Sequence, residues 1–189
     1  MDYEKSRIQD YDWEYQEVLM IEVRDVVTSV LYGLGENANR KHSDPEIIDA
    51  LNIVLRYVNL ALINAKSFWI TKEVKLKPRN GKANLPNDFG GFKSFEDDFD
   101  GKYKFVGNTI KIDKEATMAY TYILDPIENI DDEIDLPYVL FDMFSRYSLG
   151  LLNGNFGADT VAGLISAEIQ KMVAGESSGP IERPMPFFV

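Results

Sequence analysis

The chain has 189 residues and a formal net charge of −11, enough for one domain, or for one domain with a subdomain inserted. Hydrophobic residues make up 45% and cysteine is absent, so a real core can form while disulfides, thiolate nucleophiles and Cys-based zinc sites are excluded. The acidic balance argues against wrapping DNA by counterion release, because there is no surplus of Lys and Arg to replace cations around phosphates.

The start, Met1-Asp2-Tyr3-Glu4-Lys5, has no basic region followed by an apolar core, so it does not read as a signal peptide. No apolar run approaches the roughly 20 residues that span a bilayer. A cysteine-free chain suits a reducing cytoplasm. Residues 1–16 are polar and aromatic without a clean period; they read as an arm or a short entry helix. Trp13, Tyr11 and Tyr15 are ill suited to a fully solvated tail, which makes Trp13 a candidate docking residue.

Leu19, Val23, Val26, Val27, Val30 and Leu31 recur at spacings of three and four, so a helix is expected over 17–32, ended by Gly33 and Gly35. Glu36 to Lys41 reads as a polar loop, and the single histidine beyond it, His42, as a solvated surface residue. A second helix is expected from Ser43 or Asp44 to the region of Ala65–Phe68. Pro45 suits its first turn, Glu46 complements the dipole, and Ile47, Leu51, Val54, Leu55, Val58 and Leu62 form its stripe. Asn52, Arg56 and Asn59 fall on its other side.

The period then changes to two. Ile70, Lys72, Val74 and Leu76 alternate with Trp69, Thr71, Glu73 and Lys75 as in a strand. Pro78 to Gly81 reads as a turn, Ala83 to Leu85 as a short strand stopped by Pro86, and Phe92 to Phe95 as a further strand. Tyr103–Val106, Gly107-Asn108 and Thr109–Ile112 make the sharpest hairpin signal in the chain. Thr117 to Leu124 is the last expected strand, closed by Asp125-Pro126.

Ile127 to Asp135 reads as an acidic connector, either merely charged or a docking site for a basic partner. Leu136-Pro137 is expected to open a third helix with Leu140, Phe141, Phe144, Tyr147, Ser148 and Leu151 on its buried side. Asn153 to Asn155 breaks it. A fourth helix is expected from Ala158 to Val173. The fold class expected is therefore α+β: a helical bundle of about four helices with a small antiparallel β module inserted. The body comprises 17–68 and 136–174, the module 69–125, the N-terminal arm 1–16, and an extended tail 175–189.

No catalytic constellation is apparent. Gly90-Gly91 lacks the Lys-Ser/Thr of a phosphate loop, and there is no Gly-x-Ser-x-Gly elbow. Asp97, Asp98 and Asp100 alternate only in part and lack the twelfth-position Glu of a calcium loop. No metal and no cofactor are expected. In the tail, Pro180, Pro184 and Pro186 favour extended backbone. Phe187, Phe188 and Val189 then end a polar segment; they are candidate docking residues, either in a neighbour's groove or folded back on the chain's own core.

Several short motifs resemble the head-to-tail adaptor proteins of tailed bacteriophages, most nearly the tail tubular protein A (gatekeeper) group. Asp44-Pro45-Glu46 opens a helix that continues Ala50-Leu51-Asn52, and Trp69 follows at the start of the strands. Ala83-Asn84-Leu85-Pro86-Asn87-Asp88-Phe89 resembles the family's small-x-Leu-Pro-x-Asp-Phe turn. Tyr103 to Ile110 resembles its Y-x-x-x-G-x-x-I hairpin, and Tyr120-Thr121-Tyr122 with Pro126 its final strand and exit. The likeness spans about residues 44–155.

The resemblance implies a non-enzymatic structural subunit of the virion, assembled in the host bacterial cytoplasm. It implies a homo-oligomeric ring, commonly of twelve, below the portal protein and in contact with tail proteins. DNA would pass through its channel without specific binding, and no membrane would be involved. Two other readings stay open. One is a carbohydrate-binding β module using Trp69, Tyr103, Tyr120 and Tyr122. The other is a carboxylate-based hydrolase using two of Asp98, Asp100, Asp131 and Asp132, which would have to converge in a pocket.

Overall fold

A computed structural model describes residues 20–35, 41–96 and 99–176. The first element is strand β1 (Met20–Glu22), followed without a loop by helix α1 (Val23–Gly33). The helix thus begins six residues after the expected start. Ile21 is fully buried and pairs with Ile134, so a backbone partner 113 residues away overrides the local helical pattern there.

Helix α2 (Asp44–Ala65) matches its sequence signals closely. Ser43 and Glu46 form a reciprocal capping box, satisfying two otherwise orphaned backbone donors. The helix closes at Lys66 in the left-handed conformation, with φ of 53°, and a 3-10 turn (Phe68–Ile70) leads into the strands. Strands β2 (Thr71–Leu76), β3 (Lys82–Asn84), β4 (Phe89–Phe95), β5 (Tyr103–Val106), β6 (Thr109–Ile112) and β7 (Ala116–Tyr122) follow. Asn80 and Gly81 both take positive φ, 53° and 72°, as a tight hairpin turn requires of its two central residues.

Strand β8 (Glu133–Pro137) lies where the acidic connector and the start of the third helix were expected. Leu136 and Pro137 end that strand rather than open a helix. A 3-10 turn (Tyr138–Leu140) intervenes before α3 (Phe141–Leu152), and α4 (Ala158–Glu176) ends the described residues.

Among the described residues there are four helices and eight strands, the strands in three antiparallel sheets. This is α+β, but it is not a helical bundle carrying one small β module. Strand accounts for 27% of the described residues, and one sheet, β1–β8, is built wholly from segments outside the expected module. The reason is that β pairing is non-local: Met20–Glu22 and Glu133–Pro137 are only 3 and 5 residues long, and become strands by bonding each other.

The other two sheets have orders β2-β7-β4 and β3-β6-β5. They pack face to face. Phe105 of β5 contacts Phe89 and Phe92 of β4, and Tyr103 contacts Phe92 and Phe95, with ring centroids 4.8–5.9 Å apart. The opposite face of the β2-β7-β4 sheet meets α2, where Gly90 and Gly91 leave room for Ile63. Helix α2 in turn packs against α3 and α4, and α1 packs against α3. One continuous core of buried residues runs from Val26 and Val30 through Leu51, Leu55 and Phe144 to Ile110 and Met118.

Candidate functional site

Two asparagines of α2 set the geometry at one end of the β2-β7-β4 sheet. Asn52 makes a paired contact with the backbone of Ile127: its amide donates to the carbonyl and its carbonyl accepts from the N–H, each at 2.8 Å. Asn59, buried, donates to the carbonyl of Tyr122 at 3.2 Å. These side chains look like the polar face of an amphipathic helix in sequence. In the fold they hold the exit of β7 and the segment leading to β8 against the helix.

The exit segment bends over the sheet end and encloses a cleft of about 540 Å³. Its walls carry Asp88, Asp125, Glu128, Asp132, Glu133 and Asp135, with Lys72 as the one basic group lining it. Lys72 donates to Asp88 at 3.1 Å and lies 3.8 Å from the centre of the Tyr122 ring. Tyr120 donates its phenolic proton to Asp88 at 3.0 Å, and Tyr122 donates to Asp135 at 2.6 Å. Asp132 accepts from the backbone N–H groups of Glu128 and Asn129, each at 2.8 Å, so it closes the turn.

The protonation states follow from these contacts. Burial pushes the Asp88 carboxyl up, but hydrogen bonds from Lys72 and Tyr120 outweigh it and hold the group below the ordinary carboxylate value. Burial, then the bond to Asp88, raises the Tyr120 phenol to about 12. Burial, then the bond to Asp135, raises Tyr122 also. Asp88 is therefore held in its charged form and Tyr120 and Tyr122 in their neutral forms near neutral pH, and six carboxyl side chains against one lysine make the cleft an acidic surface.

A second charged surface lies on the outer face of the β3-β6-β5 sheet. Lys82 is directly opposite Lys111, and Lys111 is directly opposite Lys104. All three are exposed. Alternation along each strand turns Ala83, Ile110 and Phe105 inward and leaves the three lysines in one row across the sheet. A shallow cavity of about 320 Å³ adjoins this row, with Lys102, Tyr103 and Asp113 among its walls. The lysines stand 7 and 22 residues apart in sequence, and only the strand register unites them.

The residues singled out from sequence are dispersed. Trp13, Phe187, Phe188, Val189 and Asp98 lie outside the described residues. Asp100 pairs with Lys114, and Asp131 with Arg24, while Asp132 serves its turn. Asp131 and Asp132 share the wall of a small cavity of about 190 Å³ with Glu22, Arg24 and Glu133, and Asp100 is not among its lining residues. Among the described residues, no group of three or more His, Cys, Asp or Glu side chains is placed to hold a metal ion. Tyr120 and Tyr122 are buried, Tyr103 turns toward Phe92 and Phe95, and Trp69 packs edge-on to Phe68. These four aromatics do not share one open stacking face.

One further surface was not anticipated. Met20, opposite Pro137 in the β1–β8 register, adjoins Tyr138 and Val139, which are 48% and 62% exposed. Tyr138 stacks on Phe141 with ring centroids 5.0 Å apart. No protein-family model matches the chain, and a search of characterised proteins finds no match.

Proposed function

We propose that the chain is a structural subunit of a tailed-bacteriophage head-to-tail adaptor. In this reading copies form a ring below the portal, extend the DNA channel and join capsid to tail. The motifs between Asp44 and Asn155 motivate it, and the observation that carries it is the apolar patch in which Met20, Tyr138 and Val139 are exposed and Pro137 and Phe141 half-buried. Contiguous apolar surface on a folded domain is characteristic of a protein–protein contact, because each such side chain gains roughly 1.5–3 kcal/mol on leaving water.

The arrangement suits assembly in a second way. A ring of identical copies needs two unlike surfaces that meet head to tail, since a patch that matches itself gives closed dimers. The patch is apolar, whereas the cleft is carboxylate-lined and the outer sheet face carries a lysine row. The test is to mix the purified chain with the portal protein of the same virion and follow assembly by sedimentation and electron microscopy. Rings or a portal complex are expected, weakened by Tyr138→Ser with Val139→Ser while the thermal midpoint holds. A chain that stays monomeric and ignores the portal would refute the proposal.

A further inference from the structure

The lysine row on β3, β6 and β5 is costly for an isolated molecule. Lysines directly opposite on neighbouring strands place their Cβ atoms about 4.5–5.5 Å apart, and like charges so placed repel. None of Lys82, Lys104 and Lys111 makes an ion pair within 4 Å among the described residues. Lys72, Lys75 and Lys114 each meet a carboxylate, whereas the three lysines of the row stand directly opposite one another. The row instead presents concentrated positive charge to whatever lies outside the sheet.

The same chain carries a complementary surface. The cleft at the far end of α2's contact with the sheet is lined by six carboxylates and one lysine. Of these, Asp125, Glu128 and Glu133 are exposed and make no ion pair with another described residue. We infer that the Lys82–Lys111–Lys104 row docks against the carboxylate-lined cleft of a second copy, forming a head-to-tail contact. This rests on the ring-subunit reading and names the surfaces by which neighbouring copies meet. A row of three cations and a cleft of unmatched carboxylates are different surfaces, so the contact is heterologous and propagates around a ring.

Nucleic acid is the other polyanion that a lysine row attracts. Two considerations favour protein. The remainder of the chain is strongly acidic and repels a phosphate backbone. Repeated in every copy around a channel, the row would also add about 0.9 to the salt slope of DNA binding for each phosphate neutralised, holding DNA where passage requires release.

The test is sedimentation velocity of the full chain at high concentration, at about 50 mM and about 500 mM salt, since screening over a Debye length weakens exposed pairs. Wild type is expected to self-associate at low salt and dissociate at high salt. Lys82→Glu with Lys104→Glu and Lys111→Glu should weaken association at least about tenfold, equivalent to about 1.4 kcal/mol. The neutral set Lys→Gln at the same positions should fall between. Circular dichroism should show all variants folded, because the three side chains are exposed.

Mixing the Glu-row variant with Asp125→Lys, Glu128→Lys, Glu133→Lys should restore association, since reversed charges then meet. Self-association that is absent, or that ignores both charge sets, overturns the contact. So does salt-sensitive retention of a labelled DNA duplex by wild type that the Glu row abolishes. In each case an intact portal complex would leave the adaptor reading standing, and loss of that complex in wild type would refute the adaptor reading itself.

Discussion

Glu168 shows how a single polar side chain can tie two helices. It accepts from Nη1 and Nη2 of Arg146, at 3.2 and 2.9 Å, and from the Tyr147 hydroxyl at 2.6 Å. Burial alone would raise its carboxyl, but these three donors hold it below the ordinary value. Tyr147 is buried, and burial followed by the bond to Glu168 raises its phenol to about 12. Tyr147→Phe keeps the ring and removes one bond to a charged acceptor, so it should cost about 1–2 kcal/mol in a urea titration.

Asp88 and Glu168 also make stability fall in acid. Both have folded pKa values below their unfolded ones. The unfolded chain therefore takes up protons first as pH drops, and stability is complete only above the ordinary carboxylate range. It should decline as pH falls through that range and on through the lowered folded values. Thermal midpoints measured from neutral pH down to about pH 3 should trace this loss, and Asp88→Asn with Glu168→Gln should flatten it. An equally steep acid profile in the double variant would place the titrating groups elsewhere.

At the scale of elements, α2 is the hub. One side packs against α3 and α4, while Ile63 and Asn59 touch the sheet. Leu55 is only 4% exposed, so Leu55→Ala should cost about 2–5 kcal/mol; a cost near zero would mean that its stripe faces solvent. The contact with the sheet is close because β4 carries glycines there. A methyl added at Gly90 would stand 2.8 Å from Ile63 Cδ1 and 3.0 Å from the Thr121 carbonyl oxygen. Ile63 can turn aside but the backbone oxygen cannot, so Gly90→Ala should destabilise by about 1–3 kcal/mol in chemical denaturation.

For the whole molecule, charge distribution matters more than net charge. The sum of −11 conceals a lysine row on one sheet face and a carboxylate-lined cleft elsewhere. The purified chain should still fail to retain duplex DNA at physiological salt, in a filter or gel assay, because the acidic remainder dominates at distances beyond a few ångströms. Deleting residues 180–189 should leave the thermal midpoint nearly unchanged while weakening ring or portal association. If the deletion instead unfolds the protein, Phe187, Phe188 and Val189 belong to its own core.

Signals confined to a few neighbouring residues were legible without the fold. The start of α2 near Ser43 and Asp44, its apolar stripe, the Tyr103–Ile112 hairpin and the break at Asn153–Asn155 depend on local backbone chemistry, and the sequence determined each of them. What depends on partners distant in sequence was decided only by tertiary structure. Ile21 became a strand residue because Ile134 bonds it, and Asn52 an anchor because Ile127 lies across it. Lys82, Lys104 and Lys111 became one row because hydrogen-bond register aligned three strands. Register is a property of paired backbones, and no single segment contains it.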